Sequence, residues 1–229
     1  VVSDADSVVN YTLTFSEAVQ AVTAADLTIL GGTLTSGPTL AADGLSATFQ
    51  VTAADGSTAD LSVTVNNTIL DMNGNTLVPA SSTLTVDTLN PTVLDVTASD
   101  LMISDADATG SFTIAVTFSE AMDTAVNPAL VFAPDVSGSL TFTGGSWDMS
   151  GTVYTAAYSV TDAGVTLTDI TVDVTGALDA SGNTQEDYTA AVEFSIDTEN
   201  PLVIIAEDNA DGVVSDADSV VNYTLTFSE

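Results

Sequence analysis

The sequence contains no lysine, arginine, histidine or cysteine. Its 229 residues include 32 aspartates and glutamates, so the formal net charge is −32. Without basic side chains, the chain has little with which to bind nucleic acid or anionic membrane surfaces. Without histidine, cysteine or lysine, it also has no Ser-His-Asp triad, thiolate nucleophile, Schiff-base lysine or imidazole metal ligand. We therefore predict a protein that is not an enzyme and that has no nucleic-acid partner and no small-molecule substrate.

Long apolar segments and disulfides are absent as well. Even the longest purely apolar runs, such as Leu202 to Ala206, are far shorter than the roughly 20 residues of a membrane-spanning helix, so we predict no membrane insertion. The missing cysteines remove disulfides as a source of stability. The hydrophobic share of 45 % is nevertheless enough for packed cores. The first residue is Val1, and we expect a fragment of a longer mature protein.

An internal repeat organises the chain. Residues 1–17 (VVSDADSVVNYTLTFSE) return unchanged at 213–229, with a period of 212 residues, and a weaker copy lies at 103–122. A second marker, DTLNPTV at 87–93, returns as DTENPLV at 197–203. We predict three segments: a module at 1–90 that lacks its first strand, a different module at 91–199, and the opening strands of the next copy of the first module at 200–229.

Within each module, the hydrophobic pattern has a period of two. Val9, Tyr11, Leu13 and Phe15 alternate with polar residues, and Phe112 to Phe118 repeat the pattern. Alternation of this kind predicts half-buried strands, and turns rich in Gly, Asp and Asn separate them. Further strands are expected at 45–52, 59–66, 82–87, 152–160, 165–174 and 191–197, and no amphipathic helix is expected. The pattern predicts an all-β protein of tandem immunoglobulin-like antiparallel β-sandwich modules arranged end to end.

Both modules resemble known repeats. Residues 14–36 (TFSEAVQAVTAADLTILGGTLTS) and the DMNGN loop at 71–75 look like a bacterial immunoglobulin-like repeat, and residues 87–123 and 177–183 are similar to a sister group. Such repeats build the extender regions of giant secreted bacterial adhesins and related surface proteins. The resemblance implies an extracellular or cell-surface location, neighbouring repeats of the same array as partners, and calcium at the junctions between repeats.

Acidic residues are expected to converge where one module follows another. The SDAD turn lies at the carboxyl-terminal pole of a sandwich, and the SE and DxxGN turns lie at the opposite pole. In an end-to-end array these poles face each other across the linker, and no basic side chain neutralises them. The candidate metal ligands are Asp4, Asp6, Glu17, Asp71, Asp87, Asn90, Asp105, Asp107, Glu120, Asp179, Asp197, Asn200, Asp216 and Asp218.

Calcium fits these oxygen ligands better than other metals do. Two like charges about 4 Å apart repel by about 4 kcal/mol at an effective dielectric of 20, so a carboxylate cluster requires protons or a metal. Ca²⁺ accepts carboxylate, amide and backbone oxygens in flexible geometry, whereas Mg²⁺ demands an octahedron and Zn²⁺ favours Cys and His. The alternative is that each Asp or Asn caps a turn and that salt screens the charge. Neither SDAD nor DxxGN matches the EF-hand loop.

Two functions remain open. The first is a structural extender of a giant extracellular adhesin or surface protein, made rigid by Ca²⁺ at the junctions. The alternative is a self-assembling filament, sheath or matrix subunit, in which residues 201–229 complete the first module of a neighbouring copy. A glycan-binding or ice-binding module has little support, because the aromatic residues are scattered and outward threonines are ordinary strand formers.

Overall fold

The computed structural model describes residues 1–210, 212–216 and 219–228. The described residues form sixteen β-strands and three short 3₁₀ turns, at Asp4–Asp6, Ala24–Asp26 and Asp105–Asp107, with no α-helix among them. The strands group into two sandwiches and one hairpin. The predicted all-β, immunoglobulin-like sandwich class is confirmed.

The first sandwich consists of two three-stranded antiparallel sheets. One has the order β1-β4-β3 and the other the order β2-β5-β6. Its inward positions follow the period-two pattern, and β4 alternates between buried Phe49 and Val51 and exposed Thr48 and Gln50. The strands are β1 (Val8–Thr14), β2 (Leu27–Leu30), β3 (Gly32–Leu40), β4 (Ser46–Ala53), β5 (Leu61–Val65) and β6 (Ala80–Leu84).

The second sandwich has the same arrangement with one more strand in each sheet. Its sheets have the orders β11-β12-β9-β7 and β10-β13-β14-β8, and only the β14–β8 pair is parallel. The strands are β7 (Val93–Ala98), β8 (Met102–Ser104), β9 (Ser111–Phe118), β10 (Ala129–Ala133), β11 (Leu140–Trp147), β12 (Val153–Val160), β13 (Thr166–Thr175) and β14 (Ala191–Asp197).

The cores of the two sandwiches differ in the number of fully buried residues. The second sandwich has one hydrophobic cluster of 20 buried residues, which extends from Val96 to Ile196. The first has clusters of seven and six buried residues, and the half-buried Leu13 and Leu27 pack against both clusters. We use "first module" and "second module" for these two sandwiches.

The last segment forms a two-stranded antiparallel hairpin of β15 (Val203–Glu207) and β16 (Tyr223–Phe227). All residues of both strands are exposed, because the hairpin has no second sheet to pack against among the described residues. Val203, Ile205, Leu225 and Phe227 are among the exposed large apolar side chains of the chain.

Candidate metal site at the junction of the two modules

Two loops of the second module form the end that faces the first module. The SE turn follows β9, and an isolated antiparallel bridge joins Met122 to Asp179 in the DxxGN turn, so Glu120 and Asp179 lie close together. In that turn Gly182 has a φ of +90°, a conformation that strongly favours glycine. Asp179 Oδ1 accepts hydrogen bonds from the backbone N–H groups of Ser181 and Asn183, each at 2.8 Å. These bonds hold the aspartate at the tip of the module.

The linker between the modules enters the same place. Asp87 Oδ2 accepts a hydrogen bond of 2.8 Å from the Ser181 hydroxyl, so a residue that follows β6 is tied to the second module. The carboxylates of Asp87, Glu120 and Asp179 each offer an oxygen within 4.8 Å of the other two. We call these three residues the junction cluster. It unites one carboxylate from the linker with two from the second module.

Asn183 connects the cluster to both modules. Its side-chain amide is 1 % exposed and donates to Asp179 Oδ2 at 2.7 Å and to the Asp87 carbonyl at 2.9 Å. Its side-chain oxygen accepts a 2.9 Å hydrogen bond from the Asp4 backbone N–H of the first module. The candidate ligands predicted from the sequence do not include Asn183, although it ends the same DxxGN motif that supplied Asp179. Both modules contain the DxxGN motif, which ends in Asn75 in the first module and in Asn183 in the second. This repetition was the sequence signal that could have identified Asn183.

Several oxygen atoms at the junction are buried and have no hydrogen-bond partner. They are Asp87 Oδ1, Glu120 Oε1 and the side-chain oxygen of Asn90. A buried acceptor without a partner costs about 1–3 kcal/mol, and more when it is charged. Two of these atoms belong to the junction cluster, so the cluster has unused ligand capacity.

The electrostatics agree with this geometry. Burial raises the pKa of Glu120, and the negative charges of Asp87 and Asp179 raise it further. Burial likewise raises the pKa of Asp4, with additional contributions from Asp55, Asp179 and Asp87. The pKa of Asp4, a residue of the first module, therefore depends in part on the negative charge of the junction cluster. The chain has no basic side chain that could neutralise it.

The other candidate ligands do not join this cluster. Asp6 accepts hydrogen bonds from Ser3, and Asp107 accepts the equivalent bonds from Ser104, so both carboxylates cap 3₁₀ turns. These bonds lower the pKa of Asp6 and of Asp107. Asp105 is exposed at the same turn as Asp107. The sequence pattern of these turns therefore has a local explanation in capping.

Glu17 and Asp71 occupy in the first module the places of Glu120 and Asp179. Asp71 makes the same turn contacts, to the backbone of Asn73 and Asn75 and to the Asn75 amide, and Glu17 is exposed. No third acidic group lies near them among the described residues. Glu17 and Asp71 therefore provide a control within the same chain: they have the same loop positions as Glu120 and Asp179 but lack the third carboxylate.

The remaining candidates lie at the end of the second module and beyond it. Asp197 accepts a hydrogen bond of 3.1 Å from the Thr166 hydroxyl. Asn200 and Asp216 are exposed, and Asp218 lies outside the described residues. The structure brings together three of the fourteen predicted ligands, and the pKa of Asp4 responds to two of them.

Comparison with known proteins identifies the class of the first module. Residues 2–88 match a family model described as a bacterial Ig-like domain. This match confirms the predicted resemblance to bacterial immunoglobulin-like repeats over that module. No curated protein matches the chain.

The family match bears on function at a coarse level. Bacterial Ig-like domains are generally structural or adhesion-type repeats without enzymatic activity, and they are often found in surface proteins. In the described part of the chain, no helix is long and apolar enough to cross a membrane.

Proposed function

We propose that the chain is an extender segment of an extracellular bacterial surface protein or adhesin, and that Ca²⁺ bound at the junction cluster holds its two modules in a fixed relation. The observation that carries the proposal is the junction cluster itself. Three carboxylates lie within 4.8 Å of one another, and two of them have buried oxygens without partners. A cation supplies the missing interaction for both.

The charges explain why the cluster requires a cation. At a separation of 4.8 Å and an effective dielectric of 20, two carboxylates repel by about 3 kcal/mol. Glu120 responds with a raised pKa, which is the signature of a site that is unfavourable when fully ionised. A divalent ion removes this repulsion without protonation.

The ligand chemistry selects calcium. Asp87, Glu120 and Asp179 supply hard carboxylate oxygens, and the linker residue Asn90 has a buried amide oxygen without a hydrogen-bond partner. Ca²⁺ accepts six to eight such oxygens in irregular geometry and completes its shell with water. Because the ligands come from the linker and from two loops of the second module, the ion restrains the linker. Asn183 extends the restraint to Asp4.

A rigid junction is useful in an extender. A chain of modules projects a distal domain only if the junctions resist bending. Metal that binds only the folded form also stabilises it, by about 2.7 kcal/mol at a concentration about 100 times the dissociation constant. The absence of Lys and Arg leaves no cleavage site for trypsin-like proteases, which suits an exposed stalk.

The test compares Glu120→Gln with Glu17→Gln in the full chain, in CaCl₂, in MgCl₂ and in EDTA at constant ionic strength. Melting is followed by the fluorescence of Trp147, which reports the second module. We expect Ca²⁺ to raise the melting temperature of the natural chain by about 10 °C or more, given about 4–8 °C per kcal/mol for a domain of this size. Mg²⁺ should have little effect.

The two variants should differ both in the size of the calcium effect and in the direction of the change in melting temperature in EDTA. Glu120→Gln should lose most of the calcium effect but should be more stable than the natural chain in EDTA, because it removes an uncompensated charge. Glu17→Gln should behave like the natural chain throughout. Equal melting temperatures in Ca²⁺, Mg²⁺ and EDTA, or an equal loss in both variants, would overturn the proposal.

A further inference from the structure

The SDAD turn of the first module makes a contact that the metal site does not use. The Asp6 carboxylate accepts hydrogen bonds from the N–H group and the hydroxyl of Ser3, so it serves as the cap of the 3₁₀ turn Asp4–Asp6. The Asp4 backbone N–H lies at the start of this turn and donates to the Asn183 side-chain oxygen at 2.9 Å. The turn therefore presents a backbone donor to the second module.

Between the described residues of the two modules, this is the only hydrogen bond that does not involve the linker, residues 87–92. The linker itself is bonded on both sides. The Thr88 hydroxyl donates to the Ala54 carbonyl of the first module at 2.7 Å, and the Ser119 N–H of the second module donates to the Thr92 carbonyl at 2.9 Å. Bonds that all involve one short segment leave rotation about that segment possible. The direct bond supplies a second connection beside this hinge.

Asn183 is fixed in the orientation that accepts this bond. Its amide nitrogen donates to Asp179 Oδ2 at 2.7 Å and to the Asp87 carbonyl at 2.9 Å, so both amide hydrogens have acceptors on the same side of the junction. These two bonds define which end of the amide is the oxygen and direct that oxygen toward Asp4. Because the residue is 1 % exposed, water does not compete for the oxygen.

The first module has the same asparagine in the same turn, away from this junction. The Asn75 amide donates to Asp71 Oδ2 at 2.7 Å, and its backbone N–H donates to Asp71 Oδ1 at 2.8 Å. Asn183 makes the same two bonds to Asp179, at 2.7 and 2.8 Å. Among the described residues, however, only Asn183 also bonds to the linker and to the SDAD turn. A comparison of the two asparagines therefore separates the local turn from the contact between modules.

We propose that the hydrogen bond from the Asp4 N–H to Asn183 sets the relative orientation of the two modules and does so without a metal. The SDAD and DxxGN motifs are then the two halves of one direct contact between modules. Calcium acts elsewhere, on the linker and on the loops that carry its ligands. A backbone donor suits this place, because another carboxylate turned toward the junction cluster would be repelled by it. The contact does not depend on the calcium proposal.

The experiment removes the donor alone. The first position of a 3₁₀ turn suits the fixed φ of proline, and Ser3 before it is extended, with φ −121° and ψ 178°, as a residue before proline must be. Asp4→Pro therefore deletes the N–H and retains the turn, and its matched control Asp4→Ala removes the same carboxylate but keeps the N–H. Asn183→Ala removes the acceptor, with Asn75→Ala as control. Backbone ¹⁵N relaxation of the full chain in EDTA gives a rotational correlation time for each module.

We expect one common correlation time for both modules in the natural chain, in Asp4→Ala and in Asn75→Ala. Asp4→Pro and Asn183→Ala should lose this common value, and each module should tumble faster, while the amide spectra verify that both modules are folded. The double variant should tumble no faster than either single variant, because both changes remove one contact.

A purely local role in the turn would lower the melting temperature without separating the correlation times. The proposal is overturned if the natural chain shows two separate values in EDTA, if Asp4→Pro or Asn183→Ala keeps the common value, or if either control loses it. The calcium proposal is judged by melting in Ca²⁺, so each proposal can fail without the other.

Discussion

In the second module, β9 lies between β12 and β7, and its inward side chains Phe112, Ile114 and Val116 are at most 2 % exposed. In the first module, β1 carries the corresponding pattern but pairs on one edge only, and Tyr11 and Leu13 are only half-buried. The Tyr11 hydroxyl is buried without a hydrogen-bond partner. Two nearly equivalent strand sequences thus have different burial, because burial depends on the neighbouring strand and not on the strand itself.

The difference extends to the whole core. Where β7 covers the edge, a single cluster joins both sheets of the second module, and Phe112 packs on Phe194 with ring centroids 4.8 Å apart. In the first module, the fully buried residues form clusters of seven and six, and the half-buried Leu13 and Leu27 pack against both clusters. The first module therefore has the smaller fully buried core.

The largest expected difference between the modules is in the loss of stability when an inward side chain of similar size is truncated. Ile114→Ala and Leu13→Ala each remove three carbon atoms, one from β9 and one from β1. Because Ile114 is 0 % exposed, its loss should cost its module about 2–5 kcal/mol, the range for fully buried aliphatic residues. Leu13→Ala should cost about half as much or less, since part of its surface already contacts water. Urea unfolding followed by Trp147 fluorescence and by circular dichroism would measure both costs.

The outcome has a clear alternative. Equal costs would mean that the edge of the first module is covered in solution.

The natural chain should unfold in two steps. The first module, with fewer fully buried residues, should melt first, and a difference of about 2 kcal/mol would separate the transitions by about 8–16 °C for domains of this size. Trp147 packs on Phe118 and Tyr154 in the second module and is the only tryptophan, so its fluorescence should follow the later step alone. Scanning calorimetry should record both steps. A single transition that coincides in both signals would show that the junction couples the modules fully.

The sequence allowed the sandwich class and the strands with strict alternation to be predicted, and it left other strands unassigned. The predicted segment 191–197 coincides with β14, and 152–160 differs from β12 by one residue. In contrast, β3 contains the Gly37–Pro38 step, β11 contains the glycine pair Gly144–Gly145, and both strands have register shifts against their partners. Local alternation is weak in such strands, and pairing with β4 and β12 decides their structure.

The sequence was sufficient to predict which loops form the candidate site, but it was not sufficient to predict which side chains in those loops contact one another. Asp87, Glu120 and Asp179 lie on three segments that the module poles placed at one end, and the structure brings them within 4.8 Å. The same reasoning also named Asp6 and Asp107, whose carboxylates cap their own turns. An SDAD motif has the same appearance whether its second aspartate turns inward to a cap or outward to an ion, so only side-chain geometry separates the two.

The smallest expected effect is a pH dependence that distinguishes the modules in the absence of calcium. The folded-state pKa of Glu120 is raised above its ordinary value of 4.5, so its contribution to stability is fully present below pH 4.5 and is lost as the pH rises through the raised value. Glu193, whose pKa is raised by burial and by Asp95, acts in the same direction. In the first module, the amide of Asn75 and nearby backbone groups lower the pKa of Asp71, whose contribution is present above 3.8 and is lost only as the pH falls through the lowered value.

In EDTA, the stability of the second module should therefore decline as the pH rises from 4.5 to 7, because the raised pKa values of Glu120 and Glu193 favour their protonated forms in the folded state. Glu120→Gln should remove most of this slope and leave the part due to Glu193, whereas Glu17→Gln should leave the slope intact. Saturating Ca²⁺ should reverse its sign, because protons and the ion compete for the same carboxylates and binding strengthens as the pH rises. Chemical denaturation followed by Trp147 fluorescence at several pH values measures all four slopes: those of the natural chain, Glu120→Gln and Glu17→Gln in EDTA, and that of the natural chain in Ca²⁺. A slope unchanged by Glu120→Gln would show that the junction cluster is not the source of the pH dependence and would reassign it to Glu193.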